Sequence, residues 1–397
     1  MTQSAAAAIE RSLALYVHMP WCVRKCPYCD FNSHQRGTAP APRSYIDALM
    51  ADFERDLPRI GARTIETVFF GGGTPSLFPP EDFARLLEGL RRRARFAPDA
   101  EITMEANPGT VERGRFAGYR DAGINRISLG AQSFAPAALE RLGRIHTADD
   151  TRRAVDELHA AGLANFNLDL MYALPGQTPE EAMADVRVAC ALAPAHISHY
   201  QLTLEPGTVF HARPPPLPDE DAAYAMQRDC QQFLAAEGFA QYEVSAYARP
   251  DSRCRHNLNY WTFGDYLGVG AGAHGKITLG VPDDIIRTEK PRQPREYLDR
   301  LELGAASCGA AASDPLGVQH AVPRSELPFE FMLNALRLNL GFALRDFELR
   351  TGLGEGAIER ALSRALDRGL IEPTEEGWRP TELGSRFLND LQGGFLE

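Results

Sequence analysis

Short β-rich runs alternate with helix-patterned stretches over the N-terminal half of the chain, and no other feature limits the fold so tightly. The runs are Leu13–His18, Glu66–Phe70, Glu101–Glu105, Asn125–Leu129, Asn165–Met171 and His196–Leu202. Between them apolar residues recur at helical spacing. Ile46, Leu49, Met50, Phe53 and Leu57 form the first stripe, with Ser44 and Asp47 placed as a capping box. Phe83, Leu86, Leu87 and Leu90 form the second, and Ala154, Val155 and Leu158 a later one. Met183, Val186 and Cys190, then Met226, Cys230, Phe233 and Leu234, close the series. Strands joined through helices run parallel, and the helices cover their outer side. All strand tips then end on one face, where barrel enzymes place their chemistry.

Beyond the sixth run, the prolines of Arg213–Pro218 mark a surface turn. Gln241–Gly280 is rich in glycine, aromatics and short strand patterns and continues the same unit. Ser307–Gln319 is small and polar, a linker. From Val322 the pattern is helical, through Phe331, Leu333, Leu336, Leu338 and Leu340 and then Ala357–Leu366. A hairpin is expected over Leu370–Pro380 and a closing helix over Thr381–Leu391. The expected layout is a tail over 1–12, an α/β unit over 13–310 and a helical, winged-helix-like domain over 320–397.

Forty-two basic and 53 acidic side chains give a net charge of −11, which argues against DNA or an anionic membrane as the main partner. No run approaches the ~18 apolar residues of a transmembrane segment, and the alanine-rich start lacks a basic signal-peptide region. Cys22, Cys26 and Cys29 crowd together, while Cys190, Cys230, Cys254 and Cys308 stand apart. Seven cysteines so distributed speak for a reducing cytoplasm and a thiolate-bound metal rather than for disulfides.

Cys22-Val-Arg-Lys-Cys26-Pro-Tyr-Cys29 follows the first run directly. Three thiolates on one loop can hold three irons of a [4Fe–4S] cube and leave the fourth iron open. Zinc would normally take a fourth ligand from a second pair, and no second pair exists. The second run ends Phe70-Gly71-Gly72-Gly73-Thr74-Pro75, where a ligand could approach bare backbone or where the chain merely turns. Glu105, Gln132 and Asp169 stand at later strand tips. Singly each could be a cap or a solvated loop residue; on one barrel face they converge on a pocket.

The cysteine spacing, with Tyr28 before the third sulfur, resembles the radical S-adenosylmethionine (SAM) superfamily. That likeness implies SAM chelated by the open iron and an electron donor to the cluster. Tyr16-Val-His-Met-Pro-Trp-Cys22, Gly71–Pro75, Gly130-Ala-Gln-Ser-Phe134, Asp169–Gly176 and the leucine-rich C-terminal segment are similar to the oxygen-independent coproporphyrinogen III oxidase family. The implied fold is α/β: a partial (β/α)6 TIM-like radical SAM barrel with a C-terminal helical, winged-helix-like domain. By the same likeness Tyr16, Tyr28, Gly72, Gly73, Thr74, Glu105, Gln132, Arg144 and Asp169 would contact SAM. Thr203 and His274 fall where that family also lines the site.

Two departures separate the chain from the oxidases. Phe31 stands where they carry a further cysteine, and only a dozen residues precede Leu13. Both features, with His256-Asn257-Leu-Asn-Tyr260-Trp261, resemble the heme-chaperone branch of the family and its HNxxYW motif. The resemblance implies a cytoplasmic carrier that hands heme to an acceptor hemoprotein, a respiratory one by family analogy. The oxidase activity and another radical SAM transfer reaction stay open beside it. Histidine ligates heme iron, and Tyr260 and Trp261 offer flat apolar surface. Equally, His256 and Asn257 could hydrogen-bond a loop while the aromatics fill the barrel end. From His320 onward there are nine Arg, no Lys and thirteen acidic residues, too acidic for a nucleic-acid module. That segment is expected to cover the barrel opening or meet a protein acceptor, with Phe331, Leu333, Leu336 and Leu338 as core.

Overall fold

A computed structural model describes residues 13–35, 42–109, 114–280, 284–306 and 316–396. The expected tail over 1–12 and most of the expected linker lie outside these residues. All six runs are strands: β1 (Leu13–Met19), β2 (Thr64–Gly72), β3 (Arg95–Ala106), β4 (Arg126–Gln132), β5 (Phe166–Tyr172) and β6 (His196–Gln201). They pair in parallel and in chain order. A hairpin of β7 (Ala240–Glu243) and β8 (Ala246–Ala248) extends the sheet antiparallel beyond β6. On the other side β9 (Asp265–Val269) pairs in parallel with β1. An antiparallel meander follows, β10 (His274–Thr278), β11 (Ile285–Glu289) and β12 (Val318–Ala321). The strand order is linear and both outer strands are edges, so the barrel is partial. The end of the expected linker is therefore a strand, because Val318–Ala321 finds hydrogen-bond partners on β11.

The crossover helices are α1 (Pro42–Ile60), α2 (Pro80–Arg93), α3 (Phe116–Asp121), α4 (Pro136–Arg141), α5 (Ala148–Ala160), α6 (Pro179–Ala191) and α7 (Glu220–Ala236). Ser44 lies inside α1 rather than capping it. Capping boxes start α5 at Thr147 and α6 at Thr178 instead. Further on come α8 (Arg255–Trp261) and α9 (Pro294–Ala306).

Alternation along the strands sorts the sheet into two faces. Leu15, Val17, Val68, Phe70, Ile102, Met104, Ile127 and Leu129 belong to one apolar core, which also takes in residues of the crossover helices. Many of the intervening positions are polar, though Phe69 is not, and several of the polar ones bond one another. Asn167 donates to Ser128 Oγ at 2.8 Å, and the His196 ring joins Asn167 Oδ1 at 2.7 Å to the Tyr242 hydroxyl at 2.8 Å. A sheet face lined this way offers hydrogen bonds and charge where an ordinary barrel packs aliphatic layers.

A second core is built by α10 (Leu327–Ala335), β13 (Phe342–Ala343), α11 (Leu344–Thr351), α12 (Glu359–Asp367), β14 (Ile371–Pro373) and β15 (Gly377–Pro380). The expected hairpin is β14–β15, with β13 added on its edge. The helical pattern through Leu338 and Leu340 does not hold: α10 ends at Ala335, and Leu338 bridges to Glu243. Phe331 and Leu336 are core, but Leu333 is 42% exposed, so its assignment to the core is corrected. Phe263 and Ile285, from the strand extension, pack into this second core.

Candidate cluster and cofactor site

The cysteine loop leaves β1 and turns back so that Trp21–Cys22 pairs with His34–Gln35. Each sulfur meets a side chain from a different part of the chain. The Thr74 hydroxyl donates to Cys22 Sγ at 3.6 Å, and Arg144 Nη1 to Cys26 Sγ at 3.7 Å. Ser33 Oγ lies 3.7 Å from Cys29 Sγ. Donors so placed favour thiolates. Burial pushes the Cys22 and Cys29 thiols up in the metal-free chain, so loading metal releases protons. Among the described residues no three His, Cys, Asp or Glu converge on one point as a single ion would need. The donor set suits a cube, in which each sulfur takes its own iron, better than zinc.

The glycine loop at the tip of β2 is zipped to this segment. Gly73 N–H donates to Met19 O and Thr74 N–H to Trp21 O, both at 2.8 Å. Gly72 has φ +114, and a Cβ there would stand 2.5 Å from the His18 ring. A Cβ on Gly73 would stand 2.5 Å from Trp21 O. Only glycine fits either place. Gly72 N–H donates to Glu105 Oε2 at 3.1 Å. Burial, then the nearby Asp169, pushes the Glu105 carboxyl up to about 8. Asp169 accepts from Ser128 Oγ at 3.0 Å and Asn167 Nδ2 at 2.8 Å. Gln132, in the left-handed region with φ 66 at a bulge of β4, accepts from the Tyr200 hydroxyl at 2.8 Å. His18 Nε2 must donate to Asn32 O (2.8 Å), so Nδ1 accepts from the Tyr16 hydroxyl (2.9 Å). Burial lowers the His18 ring to about 4, leaving it neutral.

Tyr28 and His274 also lie near this group. The Tyr28 hydroxyl lies against Cys26 and near Arg144, while its ring packs on Phe210 with centroids 6.3 Å apart. Thr203 is exposed beyond the end of β6. His274, 61% exposed in its side chain, lies 3.9 Å from Glu289. Asn107, which the sequence reading passed over, donates to Thr74 Oγ1 at 2.9 Å and accepts from Arg144 Nη2. It links the partners of Cys22 and Cys26. Arg144 also donates to Gly130 O at 2.8 Å.

A cavity of about 430 Å³ opens beside the glycine loop. Tyr16, Gly72 and Glu105 form one wall; Tyr260, Trp261 and Phe263 form another. The second wall is fixed by α8. The buried Glu101 carboxylate accepts from Arg255 N–H at 3.1 Å and His256 N–H at 3.0 Å, capping that helix from across the sheet. His256 is buried, with Nδ1 2.8 Å from Thr67 Oγ1 and Nε2 3.0 Å from the Tyr260 hydroxyl. Both ring nitrogens are thus engaged in hydrogen bonds, and iron ligation would require one to be given up. Asn257 is half-buried and does not line the cavity.

Residues 16–189 match the model of the radical SAM superfamily, and residues 322–387 that of the HemN C-terminal domain. The heme chaperone HemW of Escherichia coli (strain K12) is 47% identical over 386 residues, covering 97% of this chain and 98% of that protein. The chain belongs to the HemW family. Heme chaperone HemW of Bacillus subtilis (strain 168) is 31% identical over 387 residues, covering 96% of this chain and 98% of that protein. The solved structure of coproporphyrinogen III oxidase (HemN) from Escherichia coli superimposes with a TM-score of 0.80. It covers 97% of this chain and 90% of that one; at 23% identity it shows the shared fold. As a HemW-family radical SAM protein, the chain has a [4Fe–4S] cluster and SAM as its cofactors. No helix among its described residues is long and apolar enough to cross a membrane.

Proposed function

We propose that the chain is a cytoplasmic heme chaperone that takes up heme beside its cluster and passes it to an acceptor hemoprotein, a respiratory one among the candidates. The end-to-end similarity to proteins named heme chaperones, at up to 47% identity, carries this reading. The cavity supports it with flat apolar walls at Tyr260 and Trp261 and a volume within the range of small-molecule sites. Cys22, Cys26 and Cys29 would hold the cluster. Tyr16, Gly72, Gly73, Thr74, Glu105, Gln132, Arg144 and Asp169 would shape the SAM pocket, with Tyr28 and His274 at its margins. When bound, the cluster supplies an open iron and one electron, which a donor protein must replenish. Glu105 suits the SAM ammonium, whose charge would draw off the proton that the carboxyl holds in the ligand-free chain, and Gly72 and Gly73 let backbone come close.

Hemin titration of the purified chain tests the reading. A saturable Soret change is expected, with affinity lowered about tenfold by Trp261→Ala and little altered by His256→Gln. No Soret change in the wild type would reject heme binding. Formation of protoporphyrinogen from coproporphyrinogen III in an anaerobic assay would replace the carrier with the oxidase.

A further inference from the structure

Besides the neutral His18, four basic side chains line the cavity: His274, Lys276, Arg287 and Arg292. Three of them face acidic partners. Lys276 Nζ is 2.9 Å from Asp265 Oδ1 and nearly inaccessible. Arg287 pairs with Glu330 and donates to the Tyr266 hydroxyl at 2.9 Å. His274 lies 3.9 Å from Glu289. No described carboxylate pairs with Arg292, whose side chain is exposed at the cavity mouth.

The backbone that carries this arginine is fixed. Pro291 O accepts from Gly272 N–H at 2.9 Å, and Arg292 O accepts from Asn32 Nδ2 at 2.9 Å. Asn32 donates from the same amide to Ala271 O at 2.9 Å. Its neighbour Phe31 also lines the cavity and is 57% exposed. An unpaired guanidinium and an uncovered phenyl ring therefore flank one opening, on backbone that Asn32 ties together. The walls farther in are aromatic.

A ligand matched to this pattern is a flat apolar body with carboxylates on one edge. Burying a carboxylate is costly, so that edge stays at the mouth. A guanidinium there offers the paired donors that a carboxylate takes best. We propose that Arg292 anchors the propionate edge of a tetrapyrrole, setting its apolar edge toward Tyr260 and Trp261. This rests on the heme reading above and adds an orientation and a specificity residue to it.

The test compares hemin with hemin dimethyl ester by Soret titration of the full chain, as wild type, Arg292→Gln and Arg292→Lys. The wild type is expected to bind hemin at least tenfold tighter than the diester. Arg292→Gln is expected to lose about tenfold in hemin affinity and nothing for the diester, with Arg292→Lys between. Equal affinities for hemin and diester in the wild type would overturn the anchor while leaving heme binding intact. Equal losses for both ligands in Arg292→Gln would show a merely structural role and overturn it too. Loss of SAM binding by Arg292→Gln in equilibrium dialysis, with hemin affinity kept, would assign the arginine to the other cofactor. Binding of neither porphyrin by the wild type would reject the heme reading itself.

Discussion

Glu105 shows how the polar face of the sheet sets protonation. Its carboxyl is raised from 4.5 to about 8, first by burial and then by Asp169. In the folded chain it stays un-ionised at neutral pH, whereas the unfolded chain ionises it above about 4.5. The resulting cost to stability is absent below that value, grows as pH rises and levels off near 8. Glu105→Gln should therefore raise the Tm of the metal-free, ligand-free chain by several degrees at pH 8 and leave it unchanged at pH 4.5. Calorimetry at the two pH values checks this; equal shifts at both would refute it. The same substitution should weaken SAM binding. The cysteines and the glycine run were legible because their chemistry lies in local spacing. Asn107 and Glu101 were not, because each acquires its role from segments that meet only in the folded sheet.

At the scale of elements, α8 is the exception to patterning. Its seven residues are too few to show a stripe, and it is held at one end by a single carboxylate. Glu101→Gln should cost about 2 kcal/mol, the range of charged hydrogen bonds at a helix N-terminus. Urea denaturation gives the loss, and a red shift of the Trp261 emission would show that the wall moves with it. An unchanged midpoint would mean that Thr67 and Tyr260 hold the helix alone. The six strands were visible because each is a buried run between turn signals. α3 and α4, of six residues each, were invisible for the same reason as α8. β9 was unforeseen as a seventh parallel strand, since its position beside β1 depends on the chain crossing the whole sheet.

For the molecule as a whole, the second core is not built by the C-terminal segment alone. Phe263, from the strand extension, lies 5.7 Å from the Phe331 ring, and Ile285 packs in the same cluster. The chain should unfold in one calorimetric transition, and Phe263→Ala should lower it by about 3–5 kcal/mol without splitting it. Two resolved peaks in the wild type would show independent units. The ties onto the three sulfurs impose an order on the protein's own making. Thr74 and Arg144 belong to the tips of β2 and the segment after β4, so the loop is held as a set only once those strands are in place. On that arrangement, a chain truncated before Arg144 should retain less iron and sulfide after anaerobic reconstitution than the full chain, as iron and sulfide assays would show.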